Sequence, residues 1–235
     1  MTPRPPGHLR CEYLSALLGV DTASPRLGWL AESTVRGDRQ TAFHVLVASA
    51  PELLQNDIGD FWDTGMTEAD DSTSLEYRGE AFLSCARYFW KVRWSNLEGR
   101  VSPWSEPASF VTGFLDPADW KPKWIGARRF TEFRSKGTVL LGHAGADDTQ
   151  YCAVYLRREF ALKARAALAM IFISGLGHYE LRLNGDKVGT SVLDPGWTDY
   201  GKKALYASHD VTALVRDKNA LGVILGNGRH TKSYG

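Results

Sequence analysis

Between Ala86 and Trp94 the chain alternates strictly. Ala86, Tyr88, Trp90, Val92 and Trp94 fall on one side, and Arg87, Lys91 and Arg93 on the other. A two-residue period puts all the large apolar groups on one face only if the backbone is extended; a helix would scatter them around its circumference. The same period recurs in Phe43, Val45 and Val47, and again in Tyr179, Leu181 and Leu183 with Glu180 and Arg182 between them. It returns over residues 220–225, and a further strand is expected at 109–112. Turn chemistry separates these runs. Asn184-Gly185 directly follows an alternating strand, and both residues tolerate the positive φ of a tight hairpin. Residues 96–99 supply a second turn. No helical period is sustained in the first half. Short alternating strands separated by Gly, Asp and Ser clusters predict an all-β chain of antiparallel sandwiches.

At 235 residues the chain suits one large domain or two modest ones, each able to bury a core. A net charge of +1 gives no reason to expect nucleic acid or an anionic membrane surface as partner. No stretch approaches the roughly 18 apolar residues of a membrane span. The opening MTPRPPGHLRCEYL lacks the apolar run of a secretory signal, so a cytoplasmic location is expected. Cys11, Cys85 and Cys152 are odd in number and widely spaced, which predicts reduced thiols rather than metal ligands. No metal or cofactor is expected.

The segment RYFWKVRWSNLEGRVSPWSEPASFVTG resembles the last two strands of a fibronectin type III domain, with a Ser-x-Trp-Ser element before the closing strand. LLGVDTASPRLGWL, RQTAFHVLVAS, FWDTG, LEYRG and WKPKWIG extend that likeness over residues 10–126. The stretch at 171–227, beginning IFISGLGHYELRLNGDKVG and continuing through DPGWTDY, is similar to the N-terminal β-sandwich of bacterial α-L-rhamnosidases with a helical-barrel catalytic domain. The resemblance implies a fibronectin III-like β-sandwich over residues 1–122 and a jelly-roll β-sandwich over 123–235, with 127–150 as connection and surface loop. It also implies that the second sandwich is incomplete, which would leave open sheet edges and a tendency to self-associate. For the whole enzyme it implies inverting hydrolysis of terminal α-L-rhamnose from a rhamnose-containing glycoside, with acid and base in a downstream barrel. No catalytic residue carries over to this chain, which is expected to brace the barrel and assist substrate binding without turnover. The competing class is a free-standing carbohydrate-binding or adhesion protein.

The residues themselves offer one candidate binding element. In DPGWTDY, Trp197 and Tyr200 present flat rings that could stack on a sugar, and Asp194 and Asp199 could accept hydroxyl hydrogen bonds. Equally, the rings could cap the sandwich and the aspartates satisfy turn amides. His178, in the 175–178 connection, could reach a ligand or serve structure. Asp116, Asp119, Glu180, Asp194 and Asp199 are carboxylates of interest. A glycosidase sets two such groups about 5–9.5 Å apart across a cleft, and nothing in the spacing places any two so. The stretch 175–178 lacks the Asp-Asn pair by which some modules attached to rhamnosidases bind calcium and rhamnose. GVILGNGR reads as a strand and turn rather than a phosphate loop. Trp104 is expected to stack on Arg87 or Arg100.

Overall fold

The computed structural model describes residues 3–126 and 153–226. The expected connection at 127–150, Cys152 and the turn after Gly226 lie outside them. The chain divides into two compact units, Met1–Lys121 and Pro122–Gly235.

The first unit carries β1 (Gly7–Cys11), β2 (Leu18–Val20), β3 (Arg26–Leu30), β4 (Ala42–Ala48), a short α1 (Pro51–Gln55), β5 (Trp62–Asp63), β6 (Thr67–Glu68), β7 (Leu75–Glu76), β8 (Arg87–Ser95) and β9 (Ala108–Thr112). One sheet runs β1-β3-β7. The other runs β2-β9-β8-β4-β5, with β6 also on β4. The alternation sets the register: Phe43, Val45 and Val47 sit opposite Trp94, Val92 and Trp90. All of these except Trp94 share one core with Leu27, Trp29, Tyr77, Phe82, Tyr88 and Phe110. Trp29, Trp90 and Trp94 are almost wholly buried. The indole N–H of Trp29 donates to Gln40 Oε1 at 2.9 Å, and that of Trp94 donates to the Arg4 carbonyl at 2.8 Å. Each polar tip is therefore paired inside an apolar setting.

The turn at residues 96–99 forms as the sequence predicts. Asn96 Oδ1 accepts from the amides of Glu98 and Arg100, and Gly99 takes φ +72°. The Ser-x-x-Ser spacing of SPWS then has a mechanical role. The hydroxyl of Ser102 accepts from the Trp94 amide and that of Ser105 from the Val92 amide, each at 3.1 Å. Ser102 and Ser105 amides return bonds of 2.8 Å to the carbonyls of the same two residues. Two serines thus stand in for ladder partners along the part of β8 that β9 does not cover.

The face of β8 carrying Lys91 and Arg93 is not solvated, contrary to what its charges suggest. The helix α1 and Trp104 cover it. Leu46, Ala48 and Leu54 form a second small core there, with Phe89 and Trp104 against it. Lys91 is buried, with Nζ 2.5 Å from the Leu54 carbonyl at the end of α1 and paired with Asp57. The cations over Trp104 are Lys91 at 4.5 Å and Arg93 at 4.4 Å, not the expected Arg87 or Arg100. The reason is the serine zipper, which aligns Trp104 with the middle of β8, while Arg100 pairs with Glu98. His44 completes the cluster, with its ring 4.9 Å from Trp104, Nε2 at 2.7 Å from Asp63 and Nδ1 at 3.1 Å from Arg93.

The second unit carries β10 (Val154–Ala161), β11 (Met170–Ser174), β12 (Tyr179–Leu183), β13 (Asp186–Lys187), β14 (Tyr206–Asp210) and β15 (Lys218–Leu225). Among the described residues one sheet runs β10-β15-β12-β13 and the other pairs β11 with β14. Leu181 and Leu183 on β12, with Tyr179, Val188 and Val211, form the core against Ile171 and Ile173 of β11 and Leu221, Val223 and Leu225 of β15. Asn184 and Gly185 take φ +57° and +96°, closing the two-residue β12–β13 hairpin. The Asn184 amide group also donates to the Leu214 carbonyl and to Asn219 Oδ1, so the turn residue is a tertiary tie as well. Both units are sandwiches, and the described residues are all-β apart from α1 and a 3-10 turn at Pro117–Asp119. Cys11 is a buried free thiol with its pKa pushed up to about 12 by burial, and Cys85 is also free. Among the described residues no helix is long and apolar enough to cross a membrane.

Candidate binding site

The end of the second unit where β11 passes into β12 gathers part of the candidate set. Gly175 opens the connection because a side chain there would come within 3.1 Å of the Tyr179 ring and of the Gly177 carbonyl. The His178 carbonyl accepts from the Gly226 amide at 2.7 Å, and the Tyr179 amide donates to the Asp194 carbonyl at 2.8 Å. The second bond anchors the DPGWTDY loop to the start of β12, and the first ties the same point to the end of β15. Leu193 reaches the loop at φ +66°, an uncommon angle for a leucine, and Pro195 is buried behind a cis peptide bond.

The Asp194 carboxylate bears, behind burial, on two neighbouring side chains. Burial first, and the Asp194 charge second, raise the pKa of the Tyr179 phenol. Burial lowers that of His209 on β14, against the opposing pull of Asp194. The His209 ring lies beneath Gly189, where a Cβ would come within 3.0 Å of it, and Gly189 holds φ +76°. Tyr179 Oη, His209 Nε2 and His178 Nδ1 are buried atoms with no hydrogen-bond partner among the described residues. Neither Tyr179 nor His209 was singled out by sequence. Tyr179 reads as one more core residue of its strand, and the His209–Gly189 approach is purely tertiary.

The rest of the loop divides by role. Asp199 serves its own turn: its carboxylate accepts from the Gly201 amide at 3.1 Å and lies 3.3 Å from Lys202 Nζ. Its carbonyl accepts from the amides of Lys202 and Lys203. Thr198 donates to the Lys203 carbonyl. Tyr200 is half-buried. Trp197 is 57% exposed, and Val192 and Leu193 just before it are 77% and 65% exposed. The structure therefore brings His178 and Asp194 to either side of Tyr179 and commits Asp199 to the turn. The tip of the loop is apolar. Of the other carboxylates of interest, Asp116 accepts from the Ala118 amide and Glu180 pairs with Arg182 at 2.7 Å. Among the described residues no group of three or more His, Cys, Asp or Glu side chains could hold a metal ion.

Comparison with known proteins places both units. Residues 6–116 match the Rha78A-like N-terminal immunoglobulin domain, and residues 164–235 match the α-L-rhamnosidase N-terminal domain. An α-L-rhamnosidase of Formosa agariphila is 36% identical over 218 residues, covering 90% of this chain and 23% of that protein. One from Alteromonas sp. is 32% identical, with 90% and 22% covered. The solved α-L-rhamnosidase of Dictyoglumus thermophilum superposes with a TM-score of 0.84 at 37% identity, covering 98% of this chain and 26% of that one. The chain spans about a quarter of the length of these relatives. Its two sandwiches belong to the α-L-rhamnosidases, as the N-terminal domains of that family.

Proposed function

We propose that this chain is the non-catalytic N-terminal portion of an enzyme that releases terminal α-L-rhamnose from glycosides, and that its second unit braces the catalytic part. The observation that carries the bracing role is the tip of the 192–197 loop. Val192, Leu193 and Trp197 lie within six residues and are all more than half exposed. A tyrosine-anchored loop that holds two aliphatic side chains and an indole toward solvent is the composition of a protein contact. A sugar subsite instead needs polar groups free to take hydroxyls beside its ring. Here Asp199 is engaged in its turn and the Tyr179 hydroxyl is buried. Direct substrate contact by His178, Asp194, Trp197, Asp199 or Tyr200 is the secondary role. The self-association expected from open edges belongs to the same reading: β10 is bonded to β15 alone among the described strands, and Tyr155 on it is 76% exposed.

The test is hydrolysis of a chromogenic α-L-rhamnoside by the 235-residue chain, with L-rhamnose calorimetry on the same sample. No turnover and no heat are expected. Turnover would overturn the reading and return attention to Asp194. Heat that disappears in Trp197→Ala would make the loop a sugar site and favour the free-standing carbohydrate-binding alternative.

A further inference from the structure

A groove of about 710 Å³ opens on the first unit, away from every residue discussed for binding so far. It runs between the β1–β2 connection, the segment from β2 to β3, and β7, and its volume lies within the range of small-ligand sites. We propose that this groove binds a neutral oligosaccharide. The choice of a sugar rests on the glycosidase reading above; the groove's own chemistry narrows it further.

The single cation of the wall is spent. Arg26 donates through Nε at 3.2 Å and Nη2 at 2.6 Å to the Glu12 carboxylate, and through Nη1 at 2.9 Å to the Tyr13 hydroxyl oxygen. The Arg26 amide also donates to Glu12 at 2.6 Å. What remains facing the groove accepts hydrogen bonds. Asp21 has no hydrogen bond or ion pair among the described residues, and Glu76 has only a loose contact with Arg78 at 3.6 Å. The hydroxyls of Ser24 and Ser74 line the same space. An acceptor-rich wall selects a donor-rich ligand, either a polyol or an amine. Leu14, 56% exposed, and Leu17 decide between them, because they offer an apolar surface that suits the C–H face of a pyranose and would only desolvate a cation.

The backbone of this rim is itself unusual. Glu12, Tyr13 and Ala16 take φ of +46°, +67° and +50°, and none is glycine. Left-handed backbone is unfavourable for such residues. Glycine would relieve the strain but would delete the Glu12 carboxylate of the wall and the Tyr13 hydroxyl that helps hold Arg26. Tyr13, next to Glu12 in the chain, stacks on Arg26 at 4.8 Å while staying 54% exposed.

The experiment is amide chemical-shift mapping on the ¹⁵N-labelled 235-residue chain, titrated with rutinose and, separately, with spermidine. Rutinose should give saturable shifts confined to residues 12–26 and 74–76. The double variant Asp21→Ala/Ser74→Ala, both exposed positions, should weaken binding about fivefold or more through two lost hydrogen bonds. Absence of rutinose shifts in the groove, equal shifts in the double variant, or saturation by spermidine instead would each overturn the proposal. Shifts confined to 192–200 would overturn it too, and would also count against the bracing role of the loop. Silence at both places sinks the groove and leaves the brace untouched.

Discussion

Lys91→Met removes the charge of a buried lysine and keeps its stem. Three interactions go with it. The bond to the Leu54 carbonyl at the end of α1 is charged on one side and worth about 1.5–3 kcal/mol. The cation–π contact with Trp104 at 4.5 Å contributes about 1 kcal/mol. The pair with Asp57, whose side chain is 57% exposed, contributes about 0–1 kcal/mol after solvent screening. Against these stands the relief of no longer desolvating an ammonium group, which offsets a good part of the sum. The net expectation is about 2 kcal/mol of destabilisation. Read by urea unfolding, that is a fall in midpoint of about 1 M. Tryptophan fluorescence follows it directly, because Trp29, Trp90 and Trp94 are buried in this unit. Asp57→Asn is the control and should cost less than about 1 kcal/mol, since the carboxylate it removes is more than half exposed and its attraction to Lys91 is screened by water. An unchanged midpoint for Lys91→Met would refute the reasoning and return the basic face of β8 to an ordinary solvated surface. So would a loss for Asp57→Asn as large as that for Lys91→Met.

Gly79→Ala should destabilise the first unit by about 2–3 kcal/mol. Its Cβ would collide with the Phe61 carbonyl and lie 2.6 Å from Tyr77 Oη, displacing the hydroxyl that donates to the carbonyls of Phe61 and Glu80; calorimetric melting reads the loss. Gly189→Ala should weaken the second unit, by strain at φ +76° and by pressing on His209, whereas Gly37→Ala, strained at φ +79° but in open space, should cost less. Burial holds the His209 pKa below its usual 6.5, so the unfolded chain takes up that proton first as the solution is acidified. The stability of the second unit is therefore fully present above about pH 6.5 and declines as pH falls below it. Asp194→Asn, which removes the opposing charge, should steepen that decline in acid titrations followed by Trp197 fluorescence, and parallel titration curves would count against the assignment.

The fold was legible where one strand's own residues decide its state. Tyr88, Trp90, Val92 and Trp94 leave no other conformation that buries all four, and Asn184-Gly185 specifies its turn through backbone sterics alone. The burial of the charged side of β8 was not legible, because alternation reports which residues are apolar, not what approaches from above. Lys91 is buried by a five-residue helix too short to show a period and by a tryptophan positioned through two serine hydroxyls that bond β8 amides 8 and 13 residues earlier in the chain. The candidate site shows the same limit. DPGWTDY announces a loop of fixed shape, and Trp197 is exposed on it, but the division of labour among its residues is set by partners that lie elsewhere. Asp199 is consumed by Lys202 and the amides beyond it, and Asp194 acts on Tyr179 of β12 and His209 of β14. A stacking surface and a docking surface use the same aromatic residue. What separates them is the company it keeps at the surface, and Val192 and Leu193 argue for a protein neighbour because neither can do anything useful for a hydroxyl group.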